Sequence, residues 1–211
     1  MDKIHLYSER EEALNTLSHF VSALIALAGV IIMLIKVYDR EPVIVGVMTF
    51  YTLTTFAVYL FSTVYHGTKD IKRKIFWQKI DHSMVSLIIL GTAAPALTIV
   101  ASGVFAWIML GLVVLVTGVN IALNMISVYK FKRYSLPLYA LGAIFIALGL
   151  VIDIKIINQG FIILMLISLV VIVAGSCLYM AKSRQYTHFI WHITDITCSV
   201  LHFLAFYLYI V

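Results

Sequence analysis

Residues 104–126, Val104 to Ile126, read VFAWIMLGLVVLVTGVNIALNMI, 23 positions without a charged side chain. As an α-helix rising about 1.5 Å per residue, this run crosses roughly 30 Å of hydrocarbon. No water is available there to bond backbone N–H and C=O groups, so the stretch must satisfy them internally, as a helix does. Working outward, comparable runs recur at Phe20 to Lys36, Val43 to Tyr65, Asp81 to Val100, Leu136 to Ile152, Phe161 to Ala181 and His188 to Val211. The ten-residue alternation of a membrane β-barrel is absent. With 63% hydrophobic and 12% charged residues and a mean hydropathy of +1.04, a soluble globular domain is excluded. These runs predict an all-α membrane protein of seven transmembrane helices, forming a single domain over residues 1–211. Pro42 and Pro137 fall at span starts, where a missing N–H costs least, whereas Pro95 inside the third span predicts a kink.

Basic residues set the expected orientation. With the N-terminus in the cytoplasm, the inner segments hold Lys3, Arg10, Lys69, Lys72, Arg73, Lys74, Lys79, Lys130, Lys132, Arg133, Lys182 and Arg184, and only Lys36, Arg40 and Lys155 lie outside. That asymmetry follows the positive-inside rule and places the C-terminus outside a cell (plasma) membrane crossed many times. The net charge of +5 is then accounted for by loops facing anionic lipid, and no nucleic-acid partner is expected. Glu9, Glu11 and Glu12 precede the first run and no small-residue cleavage signal follows it, so that span is expected to remain in the mature protein. Cys177 and Cys198 lie inside spans and read as small apolar fillers.

Polar residues within the spans cluster by depth. His188 and His192 in HFIWH lie four apart, on one helical face, near enough for both imidazoles to reach one metal ion. In this topology they start the last span at the cytoplasmic side, where His66 ends the second span and Asp81 begins the third. His192 sits about 6 Å deeper than His188 by helical rise. Ser62 shares the His66 face one turn away. Three histidines with a nearby carboxylate match catalytic zinc, Zn2+, with a fourth position open to water and Asp81 as general base. Each piece alone has an ordinary reading: packing histidines for the HxxxH pair, an interfacial anchor for His66, a helix cap or a Lys79 partner for Asp81. Their shared depth on three helices favours the metal.

Several motifs together resemble one family. Glu12-Ala-Leu-Asn15-x-x-Ser18-His19, Ser62-Thr-Val-Tyr-His66, Ile80-Asp81-His82, Gly91-Thr92 with Pro95, and His188-Phe-Ile-Trp-His192 followed by His202 are similar to hemolysin III proteins. These form the bacterial branch of the progestin and adipoQ receptors, more distantly related to alkaline ceramidases. The resemblance runs nearly end to end. It implies a seven-helix fold with zinc held by His66, His188 and His192, an acid at Asp81 contacting the zinc-bound water, and Ser62 lining the site.

The chain departs from the family pattern at Ala93 and Ala94, where an aromatic and a second threonine are usual, and at Asp195, where the family is typically apolar. Asp195, one turn beyond His192, is read as an acceptor for an imidazole N–H or else as a pore-side acid with no metal role, the first being favoured. His19 is read as a residue that caps or closes the site. His82 points about 100° away from Asp81 around its helix, and His202 lies about 15 Å beyond His192, so neither is expected to share the ion. Interhelical hydrogen bonding is the expectation for His202.

Three functions compete. The favoured one is a zinc-dependent hydrolase of a lipid amide or ester, with membrane lipids as partners. A haemolytic protein that permeabilises bilayers as an oligomer lacks the charged lumen face a pore requires. A receptor-like regulator with structural zinc would ordinarily need four protein ligands.

Overall fold

The computed structural model describes residues 7–180 and 186–211, so Lys3, Lys182, Arg184 and the predicted span end at Ala181 lie outside the described residues. Every regular element among those described is helical: α1 (Glu9–Val37), α2 (Pro42–Gly67), α3 (Ile71–Pro95) continuing into a π-helical turn at Ala96–Val100, α4 (Gly103–Val151), α5 (Gln159–Met180) and α6 (Thr187–Tyr209). Six of these helices are long and apolar enough to cross a membrane.

Two helices begin well before their apolar runs, for local reasons. Ser8 accepts from the Glu11 N–H at 3.2 Å and three glutamates occupy the first turn of α1, complementing the positive end of its dipole. Asp70 likewise caps α3, accepting from the Arg73 N–H at 2.9 Å. Consequently α1 starts at Glu9 rather than Phe20, and Asp81, expected at the start of its helix, sits three turns inside α3. Hydropathy finds where apolar residues begin, whereas a capped helix runs on through polar turns.

The helix α4 has 49 residues, which straight would reach about 73 Å, more than twice the hydrocarbon thickness. It is not straight. Ser127 is extended (φ −166°, ψ 113°), and its hydroxyl accepts from the Lys130 N–H at 3.2 Å, the geometry of an N-cap. The Ile126 carbonyl freed by the break accepts from Lys79 Nζ at 3.0 Å. Beyond Ser127 the chain doubles back: Ser135 donates to Asn124 at 3.4 Å, and Gly142 and Gly149 face Val116 and Met109. At the far end the Asp153 carboxylate accepts from the Ser102 N–H at 2.7 Å and the Ser102 hydroxyl at 3.1 Å. Two ends that a straight helix would separate therefore meet.

Helices in lipid gain little from the hydrophobic effect and associate through close packing and interhelical hydrogen bonds. Gly91 of α3 lies directly against Thr54 of α2, and Tyr139 and Asn124 donate to the His82 carbonyl at 2.9 and 3.2 Å. A core of Met33, Met48, Tyr51, Leu97, Val113, Phe161 and Phe206 fills the half of the bundle away from the histidines, and Ala93 belongs to it. Ile25, Ile35, Val170 and Leu166 project outward, as a lipid-facing surface requires. Pro95 passes into the π-helical turn, in which Thr98 donates to the Ala94 carbonyl at 2.6 Å. His202 bonds Ser168 across α5 and α6 at 2.8 Å, as expected. Cys198, buried, meets the Ser168 carbonyl at 3.2 Å, and Cys177 is exposed, so both thiols are free.

Candidate metal centre

Two helix ends deliver three imidazoles to one region. The last turn of α2 carries His66, the first turn of α6 carries His188, and His192 follows one turn later. His192 Nε2 lies 3.1 Å from His66 Nε2 and 2.9 Å from His188 Nε2. All three residues are at most 8% exposed. A ring nitrogen has one in-plane direction, carrying either a proton or a lone pair, so His192 Nε2 cannot hydrogen-bond both neighbours. One cation between His192 and either neighbour would accept both lone pairs. Metal–nitrogen bonds of about 2.0–2.1 Å set two tetrahedral ligands roughly 3.3 Å apart, close to the separations seen. Among the described residues, the three imidazoles whose nitrogens all lie within 4.8 Å of one another are His19, His66 and His192, a set that fits a metal ion.

A fourth imidazole joins them. His19 of α1, 2% exposed, has neither ring nitrogen hydrogen-bonded, and one of its nitrogens lies within 4.8 Å of a nitrogen on both His66 and His192. Its ring meets that of His192 edge-on at 4.1 Å and lies parallel to that of His66 at 6.0 Å. Spacing along α6 singled out His188, but among the described residues it is His19 that groups with His66 and His192 within 4.8 Å, while His188 approaches His192 at 2.9 Å. Asn15, one turn earlier on α1, is fully buried with both side-chain amide atoms unpartnered.

The first turn of α1 supplies what the sequence reading missed. Glu12 Oε2 lies 2.7 Å from His66 Nδ1. A carboxylate only accepts, so Nδ1 is the donor and Nε2 is the nitrogen turned to the cluster. Lys74 Nζ is 3.0 Å from the other Glu12 oxygen. The motif Glu12-x-x-Asn15-x-x-x-His19 held the only available signal, since its spacing puts all three residues on one helical face.

Aromatic rings close this end of the bundle. Tyr7 stacks on His188 at 4.5 Å with planes 5° apart, Tyr179 lies 5.7 Å from the same ring, and Tyr65 lies 4.5 Å from His66.

Of the residues expected in the site, His66, His188 and His192 come together. Ser62 is buried with its hydroxyl unpartnered, one turn from His66. Asp81 is buried on α3, its carboxylate 3.3 Å from His82 Nδ1 and within electrostatic reach of His19 and His66. Asp195 meets the neighbouring helix through its backbone, whose carbonyl accepts from the Tyr59 hydroxyl at 3.4 Å, and its carboxylate bonds no imidazole among the described residues.

The bundle and its buried histidines define a multi-pass protein of the cell membrane with a candidate metal centre near one end. A family model described as Haemolysin-III related matches residues 7–203, and the chain belongs to this family. It is 25% identical over 204 residues to Hemolysin-3 of Bacillus cereus, covering 95% of this chain and 92% of that protein. It is also 25% identical over 190 residues to a Hemolysin-3 homolog of Bacillus subtilis (strain 168), covering 89% and 88%.

Proposed function

We propose that this hemolysin III protein is a zinc-dependent hydrolase cleaving an amide or ester bond of a membrane lipid, with the chain crossing the bilayer seven times. The return of α4 at Ser127 supports the seventh crossing, and the basic residues support a cytoplasmic N-terminus and an external C-terminus. His66, His188 and His192 would hold the ion. When bound, zinc supplies Lewis-acid chemistry, polarising a carbonyl and acidifying water. Asp81, a buried carboxylate beside the cluster, would take the proton from the attacking water, and Ser62 would line the substrate's path.

The observation that carries the lipid reading is a cavity of about 220 Å³ between α1, α2 and α6. Its lining includes Ser22, Ile25, Ile32, Tyr59, Ser199 and Phe203. Tyr59 precedes His66 by seven residues and Ser199 follows His192 by seven, so the cavity continues the imidazole-bearing faces about 10 Å deeper. Ile25 and Ile32 are themselves exposed on the lipid side. An apolar space reached from the bilayer, with Tyr59 of its lining 5.7 Å from the His19 ring, suits an acyl chain whose carbonyl would extend toward the ion.

The test is zinc content and lipid turnover of purified wild type and Asp81→Asn across ceramides, lysophospholipids and diacylglycerols. Turnover lost in the variant with zinc retained supports the reading. Zinc-loaded wild type that cleaves none of these lipids overturns it. His19 favours a second reading, a receptor-like protein with structural zinc, because a fourth imidazole would complete a closed site. Haemolysis is carried by the relatives' names, and dye release from liposomes by the same preparation would reveal it.

A further inference from the structure

We propose that Glu12, held by Lys74, is a positioning residue that locks the His66 imidazole in the one tautomer and orientation able to bind the metal. The proposal rests on the metal-centre reading above. The Glu12–His66 contact is short at 2.7 Å, and the His66 side chain is wholly buried. Imidazole rings rotate broadly about their terminal torsion, so burial alone does not choose which nitrogen faces the cluster. An acceptor-only carboxylate at Nδ1 does choose, and it also raises the basicity of Nε2.

Lys74 makes this arrangement rigid. Its ammonium, 4% exposed, lies 3.0 Å from Glu12 Oε1 and donates toward the carbonyls of Tyr65, His66 and Thr68 at 3.2, 3.3 and 3.3 Å. Those carbonyls belong to the end of α2, which a cation stabilises. The same lysine therefore fixes the His66 backbone from one side and neutralises the carboxylate that fixes its ring from the other. α1, α2 and α3 each contribute one member, so the ligand's orientation depends on their mutual packing.

A staple joining three helices would use the same contacts, and the two roles separate experimentally. A staple lowers the stability of metal-free and zinc-loaded protein alike, whereas a positioning group changes the metal. Chelator competition on full-length protein in detergent is expected to show zinc bound 10–100-fold more weakly by Glu12→Gln than by wild type, the usual cost of losing such a partner. The visible spectrum of the cobalt-substituted protein should shift with it. Zinc affinity within twofold of wild type and an unchanged cobalt spectrum overturn the proposal while leaving the metal centre standing. A wild type that takes up no metal overturns both. Should Glu12→Gln fail to fold, histidine 15N NMR of zinc-loaded wild type decides: His66 protonated at Nδ1 and metallated at Nε2 supports the proposal, and metallation at Nδ1 refutes it.

Discussion

The Nε2 atoms of His66 and His192 lie 3.1 Å apart although 126 positions separate the two residues. Both histidines belong, with His19, to the group whose nitrogens all lie within 4.8 Å of one another among the described residues, and both also belong to the set read from the sequence. Wild type is expected to purify with about one zinc per chain, and His66→Ala and His192→Ala to lose it, as measured by elemental analysis. His188→Ala is expected to lose it too, whereas His19→Ala keeps the ion with weakened affinity. Full zinc occupancy in His188→Ala together with loss in His19→Ala would transfer the third ligand position to α1.

Lys74 is buried among four acceptors, one of them a carboxylate. Removing one partner of a buried pair leaves a charge uncompensated, at a cost of about 3–5 kcal/mol. Lys74→Met is expected to lower the thermal midpoint in detergent markedly, and adding Glu12→Gln should recover part of the loss. A double variant less stable than the sum of the two singles would contradict this coupling.

A Cβ at Gly91 would lie 3.0 Å from Thr54 Cβ and closer still to the Thr54 hydroxyl, which is anchored to the Tyr51 carbonyl at 2.8 Å. Gly91→Ala must therefore separate α2 from α3 and is expected to destabilise by about 1–3 kcal/mol. Gly111 has open space around its Cβ position, and Gly111→Ala should be neutral or mildly stabilising. Equal shifts in thermal midpoint for the two variants would show that the α2–α3 contact is looser than described.

If α4 crosses the membrane twice, the two termini lie on opposite sides. Alkaline phosphatase fused after Val211 should be active, and fused after Lys132 inactive, because that enzyme folds only outside the cytoplasm. Six crossings would return the C-terminus to the cytoplasm and silence the Val211 fusion.

Much of the architecture was legible before any coordinates. The charge-free run at Val104 to Ile126 and its counterparts fall on the six long apolar helices, two of them on α4, and HFIWH with His66 pointed to the region where imidazoles converge. Two departures have physical causes. The span boundary read at Ile126 falls beside the break at Ser127, but that α4 resumes at once from a serine N-cap, with no separate loop, shows only in the return of the chain onto Asn124. Glu12 and His19 sat in polar turns outside the apolar window, where hydropathy carries no information about helix continuation.

By itself the sequence determined that the chain is helical, membrane-embedded and equipped with ionisable groups at matching depth. Lipid offers no hydrogen bonds, and apolar length therefore dictates helix on its own. Tertiary structure decided which ring nitrogens meet, that Glu12 rather than a deeper acid holds His66, and that His19 stands within reach. Those outcomes depend on how each helix is rotated about its axis against its neighbours. That rotation is set by close contacts such as Gly91 on Thr54, between residues far apart in the chain.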